Sequence, residues 1–207
     1  MNQEYVLLGG LFWKILSKKI YFWRNHVKGN ILTKIAVWLS SKVFYTSPSS
    51  FTARFKKAVQ MPVGIDTNFF KPDPKVERRK NSILFLGRIS PVKKVLEFID
   101  WVKNTEYKVT IAGPVLPEDR EYGEKVLQAL TPEIKFLGPV TQDEALKPYQ
   151  SHKIYVNKTP AGSLDKTIFE AAACGMKLLV DNSDAKDIRI EDHSLKKLVE
   201  KLKQELS

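Results

Sequence analysis

The sequence predicts an α/β protein built on a parallel sheet of Rossmann type, and three observations lead there. From about residue 82 onward, short apolar runs alternate with stretches of helical spacing, the signature of repeated strand–helix units. The apolar runs SILFL (82–86), KVTIA (108–112) and KLLV (177–180) are near-continuous rather than alternating, as expected of strands covered on both faces. Each run is followed by a loop rich in Gly, Pro or charged residues, where such sheets hold their ligands.

In chain order, residues 5–18 are expected as an apolar helix and Lys19–Arg24 (KIYFWR) as a strand. Ile31–Ser40 has helical spacing and Lys42–Thr46 (KVFYT) reads as a second strand; the turn Ser47-Pro48-Ser49-Ser50 then starts a short helix. Residues 58–72, AVQMPVGIDTNFFKP, contain two prolines, a glycine and little periodicity, and read as a linker. Beyond it strands are expected at Ser82–Leu86, Lys108–Ala112, Ile134–Leu137, Lys153–Val156 and Lys177–Val180, with helices near 91–104, 118–130, 142–150 and 164–174. A Lys/Glu/Leu helix at 194–206 ends the chain, and no internal repeat is present.

Composition narrows the function classes. The single cysteine, Cys174, rules out an intramolecular disulfide and a cysteine-rich zinc site, and His26, His152 and His193 lack metal-ligand spacing. The N-terminus has no basic n-region or cleavage motif, and its apolar stretch is broken by Gly9-Gly10 and Lys14, so the expectation is a cytoplasmic protein, free or peripheral on a membrane face. The formal charge of +11 is concentrated at the front: residues 1–60 hold ten Lys/Arg against the single acid Glu4, a net +9 that leaves +2 for the rest. Trp13, Trp23 and Trp38 lie in that basic part. It is either a solvated positive face or a surface for an anionic membrane through residues 11–57, with LFWKILSKKIYFWR (11–24) the stretch to suspect; no nucleic-acid motif accompanies it.

Two loops carry residues suited to chemistry. In GRISPVKK (87–94), Gly87 lets the backbone turn, Pro91 suits a first helical position, and Arg88 and Lys93 match a diphosphate, a planar fork plus a point charge. The alternative is that Arg88 pairs with a nearby acid while Lys93 and Lys94 are surface lysines. In GSLDKTIFEAAACG (162–175), Gly162 gives a flexible approach, Ser163 is an expected N-cap and Asp165 suits a first turn. Lys166 opposes the helix dipole unless an anion also sits at that terminus. A Lys166–Glu170 pair is the local alternative, worth only about 0.3 kcal/mol. That pair alone does not explain a carboxylate among Phe169 and the alanines, whereas accepting hydrogen bonds from paired hydroxyls, as on a ribose, does.

Together these loops resemble the nucleotide-sugar half of family-4 (group 1) glycosyltransferases of the GT-B fold. GRISPVKK resembles their G-R-x-x-x-x-K signature, TPAGSLDKTIFEAAACGMKLLV their donor-site helix with E-A-x-A-x-G, and MPVGIDTNFFKP their interdomain linker; AGPV and FLGPV fall where the family has its I-x-G and F-x-G strands. The likeness covers residues 58–182 in the right order. It implies that Arg88 and Lys93, beside Gly87, hold the donor diphosphate and stabilise it as it leaves. Glu170 then binds the ribose, and the loop of Gly162, Ser163, Leu164, Asp165, Lys166 and Thr167 faces the donor sugar and phosphate. KKIYFWRNH resembles the strand that ends in an active-site histidine, which makes His26 that residue; otherwise it is an ordinary loop histidine.

Three positions depart from the family pattern: Gly162 stands where a second glutamate is usual, Lys94 where glycine is usual, and Val63 where asparagine is usual. The implied organisation is a partial acceptor-side Rossmann-like domain (1–57), a linker (58–72), a nucleotide-sugar domain (73–190) and a C-terminal helix (191–207), with Met1 an internal methionine of a truncated or split product. The implied function is retaining transfer of a sugar from a nucleoside-diphosphate donor to a hydroxyl of a glycan or lipid-linked acceptor. No metal or other cofactor is implied, since no Asp-x-Asp occurs. The alternatives are a nucleotide-sugar-binding fragment that needs a partner chain, and a basic membrane-surface protein.

Overall fold

The computed structural model describes residues 3–162 and 164–206 and contains two parallel sheets. The N-terminal one follows α1 (Gln3–Ile15) and is built from β1 (Tyr21–Trp23), α2 (Ile31–Leu39), β2 (Lys42–Tyr45) and β3 (Ala58–Gln60), in the order β1-β2-β3. Asn30 opens α2 with a reciprocal cap: its Oδ1 accepts from the Thr33 amide at 3.0 Å, and Thr33 Oγ1 accepts from the Asn30 amide at 3.2 Å. Val6, Phe22, Ala36, Val37 and Val43 form the small core between helices and sheet. The strand β3 lies inside the stretch read as linker. Three residues are too few to show a period, and only pairing with Val43–Tyr45 reveals the strand.

The larger sheet follows residue 81: β4 (Ser82–Leu86), α3 (Val95–Val102), β5 (Lys108–Ala112), α4 (Arg120–Gln128), β6 (Ile134–Phe136), α5 (Gln142–Ser151), β7 (Ile154–Asn157), α6 (Lys166–Ala173) and β8 (Lys177–Val180), in the order β6-β5-β4-β7-β8. All five residues of β4 are buried, because its two faces belong to two cores. Ile83 and Phe85 pack with Phe98, Ile99, Ile111 and Val126 on one side. Leu84 and Leu86 pack with Tyr149, Tyr155, Ile168 and Phe169 on the other.

Three helix boundaries differ from expectation: α1, expected over 5–18, runs from Gln3 to Ile15 and is followed by Ser17 at φ 54°. The helix expected at 91–104 is interrupted: Pro91–Lys93 is a 3₁₀ turn, Lys94 takes φ 53°, and only then does α3 begin. Lys94 therefore occupies, as a non-glycine, the left-handed conformation that glycine adopts without strain. The helix expected from 164 begins at Lys166, with Asp165 in the N-cap position. Ser163, expected as that cap, lies outside the described residues.

The chain joins its two sheets by two crossings that hold each other. The linker passes from β3 to β4, and α7 (Leu195–Leu206) returns. Ile65 accepts from the Leu195 amide at 2.8 Å and donates to the His193 carbonyl at 2.9 Å. Gly64, at φ 77°, lies so close to Leu198 that a Cβ would come within 2.4 Å of its Cδ2. At its far end α7 reaches the smaller sheet, where Lys42 Nζ sits 3.1 Å from Glu205 Oε2.

Candidate functional site

Chain order against strand order locates the site. From β4 the chain moves to β5 and β6 on one side, then crosses to β7 and β8 on the other. The loops leaving β4 and β7 therefore diverge, opening a crevice at the carboxyl ends of two adjacent strands. Those loops are 87–94 and 158–165, the first of which, with the end of the second, the sequence singled out.

Lys93 crosses the crevice. Its Nζ lies 2.6 and 2.5 Å from the two carboxylate oxygens of Asp165 and 3.1 Å from Thr159 Oγ1. Asp165 Oδ2 also accepts from Thr159 Oγ1 at 2.7 Å and Asn157 Nδ2 at 3.0 Å. Burial pushes the Asp165 carboxyl up, but Lys93, Asn157 and Thr159 together outweigh it and hold the group below its ordinary range. Asp165 stands at the N-terminus of α6, where a carboxylate suits the dipole as expected, but its side chain makes no cap bond and gives its oxygens to Lys93, Asn157 and Thr159. Lys93 is not the free surface lysine of the alternative reading.

Arg88 is held loosely. Its guanidinium is 3.7 Å from Glu118 Oε1 and 3.6 Å from Asp119 Oδ2, beyond hydrogen-bond reach, so the pairing with nearby acids is present but weak. Asp119 Oδ2 is buried there without a hydrogen-bond partner. Gly87 is not needed for the turn: its φ is not left-handed, and a Cβ on it would meet nothing within 4 Å. The steric demand falls on Gly113, where a Cβ would run into the Gly87 carbonyl.

Glu170 is half-buried on α6 and accepts from Tyr149 Oη at 2.9 Å. Burial raises its carboxyl above the ordinary value, with Tyr149 and then Lys166 acting against the rise. The Lys166–Glu170 pair is not closed, and Lys166 stays exposed. Thr167 Oγ1 accepts from Tyr155 Oη at 2.7 Å, which ties α6 to β7, and Leu164 packs against the adjoining core.

The loop after β1 approaches from the other sheet. His26 is exposed, and its Nδ1 lies 3.0 Å from the Lys28 amide. Its neighbour Val27 fills the space beside Gly162, which sits at φ 98° where any Cβ would strike that side chain. The Gly162 amide donates to Asp184 Oδ2 at 3.0 Å. The same carboxylate accepts from the Ser47 hydroxyl and from Ser49 Oγ at 2.6 Å. Asp184 therefore ties the turn after β2 to the loop before α6. Burial pushes its carboxyl up, and the hydrogen bonds from Ser47, Ser49 and Gly162 more than reverse that.

The structure thus brings Lys93 and Asp165 together across the crevice, with Arg88 just beyond the end of β4, while Glu170 lies further along α6 against Tyr149. Sequence reasoning missed Asn157, Thr159, Tyr149 and Asp184. Asn157 and Thr159 carried a usable signal, polar residues just where a buried strand ends. Tyr149 is fully buried on a helix whose sequence does not mark it, and Asp184 lies in a stretch of mixed polar residues without pattern. Among the described residues no group of three or more His, Cys, Asp or Glu side chains is placed to hold a metal ion.

The sequence of residues 92–204 matches the model of the family described as "Glycosyl transferase-like". The chain belongs to that family. Its fold is that of GT-B glycosyltransferases, in agreement with the expected α/β class. The structure of Anabaena Alr3699/HepE in complex with UDP and glucose superimposes with a TM-score of 0.70 at 18% identity, covering 86% of this chain and 57% of that one. Sucrose-phosphate synthase from Thermosynechococcus elongatus gives 0.63 at 14% identity (83% and 53%), and the pneumococcal O-GlcNAc transferase GtfA in complex with UDP and GlcNAc gives 0.61 at 16% identity (82% and 38%). This family member spans little more than half the length of HepE. No curated protein sequence matches it.

Proposed function

We propose that the chain carries the donor half of a nucleotide-sugar-dependent glycosyltransferase. The observation that carries this reading is the meeting of Lys93, from the loop after β4, with Asp165 and Thr159, from the loop after β7, at the sheet's topological switch point. In the proposed complex Arg88 and Lys93 bind the donor diphosphate, and open space at Gly87 lets the backbone approach it. Glu170 accepts from the ribose hydroxyls through the oxygen that Tyr149 leaves free, and His26 faces the donor sugar. Arg88 is available at once, whereas Lys93 is released as the phosphate replaces Asp165.

The proposed reaction is retaining: the bond from the sugar's anomeric carbon to the diphosphate breaks, a bond to the acceptor hydroxyl forms on the same face, and the hydroxyl proton passes to the departing phosphate. Charge accumulates on the diphosphate, and a well-placed donor against it is worth roughly 10²–10³ in rate. UDP is the favoured nucleotide, supported by the UDP held in the HepE and GtfA structures.

The test is calorimetric titration of the chain with UDP, GDP and ADP beside the Arg88→Ala/Lys93→Ala double variant. Binding of UDP that the variant loses is expected. Equal binding by both, or none by either, overturns the assignment.

A further inference from the structure

The outer face of α1 and α2 is unlike the rest of the surface. On α1, Tyr5, Leu8, Phe12 and Ile15 recur at i, i+3, i+7 and i+10 and form one stripe, half a turn from the buried Val6 and Gly10. On α2, Ile31 and Trp38 share a stripe on the side opposite Thr33, Ala36 and Val37. Leu8 is 85% exposed, Ile15 73% and Trp38 61%. The helices run side by side in the same direction: Gln3 bonds Thr33, Gly10 packs on Leu39, and Lys14 Nζ sits 3.9 Å over the Trp38 ring. The two stripes therefore adjoin and point away from the sheet, where a helix on a solvated surface carries its polar side.

Charge identifies what covers this face. Lys18, Lys19 and Lys34 are exposed around it, Lys14 lies between the helices, and the only acid in residues 1–60 is Glu4. Lys57 Nζ bonds the carbonyls of Trp38 and Ser40 at 3.3 and 2.6 Å within the same positive field. Exposed apolar and aromatic side chains rimmed by cations match a lipid interface, where acyl chains receive the stripe and headgroup phosphates receive the lysines.

We propose that the outer face of α1 and α2 docks on an anionic lipid bilayer, with both helices lying in the plane of the interface. No helix among the described residues is long and apolar enough to cross a membrane. The chain links this face to the candidate site: α2 starts a few residues after Val27, which packs beside Gly162. Docking would bring a lipid-linked acceptor to the crevice, a consequence that rests on the glycosyltransferase reading; the docking itself does not.

The experiment is co-sedimentation of the full chain with phosphatidylcholine vesicles, with and without phosphatidylglycerol, at low and high salt. The chain is expected to pellet with the anionic vesicles at low salt and to be released by salt. A Lys18→Glu/Lys19→Glu/Lys34→Glu variant is expected to lower partitioning more than about a hundredfold, from about fivefold per lysine. A Leu8→Ser/Phe12→Ser variant is expected to abolish it while keeping the parent's thermal midpoint. Failure to pellet with anionic vesicles overturns the proposal, as does binding by both variants equal to the parent's. A lipid-free dimer that the Leu8→Ser/Phe12→Ser change dissociates also overturns it, in favour of a second copy. UDP calorimetry on the same variants separates the two readings: unchanged nucleotide binding with lost sedimentation confirms docking, and lost nucleotide binding in the parent leaves the docking result standing.

Discussion

The two sheets of this chain are made from the same strand–helix unit but differ in how their helices are finished. Around the larger sheet, apolar residues face inward to two cores, and the surface charges are largely answered by neighbours, as in Arg120–Glu124 and Lys125–Glu121. Around the smaller sheet, α1 and α2 are apolar on their outer sides as well, and nearly all of the charge is positive. The difference teaches that the larger half is explained by its own contacts, whereas the smaller half exposes apolar residues that no contact among the described residues explains.

The sharpest way to break that comparison is a pair of phenylalanines. Phe98→Ala empties a fully buried position and is expected to cost about 3–5 kcal/mol in urea unfolding, while Phe12→Ala, at 62% exposure, is expected to stay within about 0.5 kcal/mol. A large loss at Phe12 would mean that the outer face is structural. Next comes Asp165→Asn, which leaves Lys93 without its carboxylate and is expected to cost about 3 kcal/mol. Because the folded Asp165 carboxyl is depressed, its contribution is present above the ordinary value of 3.8 and is lost as pH falls through the lower folded value. The variant's acid unfolding curve should lack that component.

Asp184→Asn tests the seam between the halves and is expected to cost about 1.5 kcal/mol. It should also speed amide exchange at Gly162, read by mass spectrometry; protection equal to the parent's would remove Asp184 as the tie. Glu170 works in the opposite sense. Its raised carboxyl opposes folding when ionised, and that penalty fades as pH falls through the raised value and is gone below the ordinary 4.5. Glu170→Gln is therefore expected to stabilise the chain at neutral pH by about 0.5–1 kcal/mol while weakening nucleotide binding. The smallest effect belongs to Lys94→Gly, which relieves the φ of 53° and should add about 0.5 kcal/mol to the melting stability.

How much of this was legible in the sequence follows the range of the forces. All five strands of the larger sheet were readable as short apolar runs. The covering of both faces expected of such runs holds for the central β4 and not for the edge strands β6 and β8, whose residues alternate with exposed positions. KLLV (177–180) is therefore apolar without being buried on both faces. The strand β3 was not readable, since its identity lies in pairing with β2 rather than in its own three residues. Lys93 and Asp165 each stood out, but the bond between them joins residues 72 positions apart, and their types do not record it. Asp184 is the extreme case: a carboxylate in an unpatterned stretch whose partners, Ser47 and Gly162, come from both halves. The left-handed Lys94 was signalled only by the resemblance, which has glycine at that position, because lysine itself does not announce that conformation.

The crossing of the linker by the start of α7 sets how the halves can move. A single tether would let them swivel in any direction. Here two segments cross at one place, bonded to each other through Ile65, His193 and Leu195. Neither segment can turn there without straining the other, so the crossing restrains the halves more than either segment would alone. The Asp184 tie restrains the same two halves at a second place, some 120 residues further along the chain than Ile65, so the seam is stapled twice by contacts that sequence distance alone would never pair.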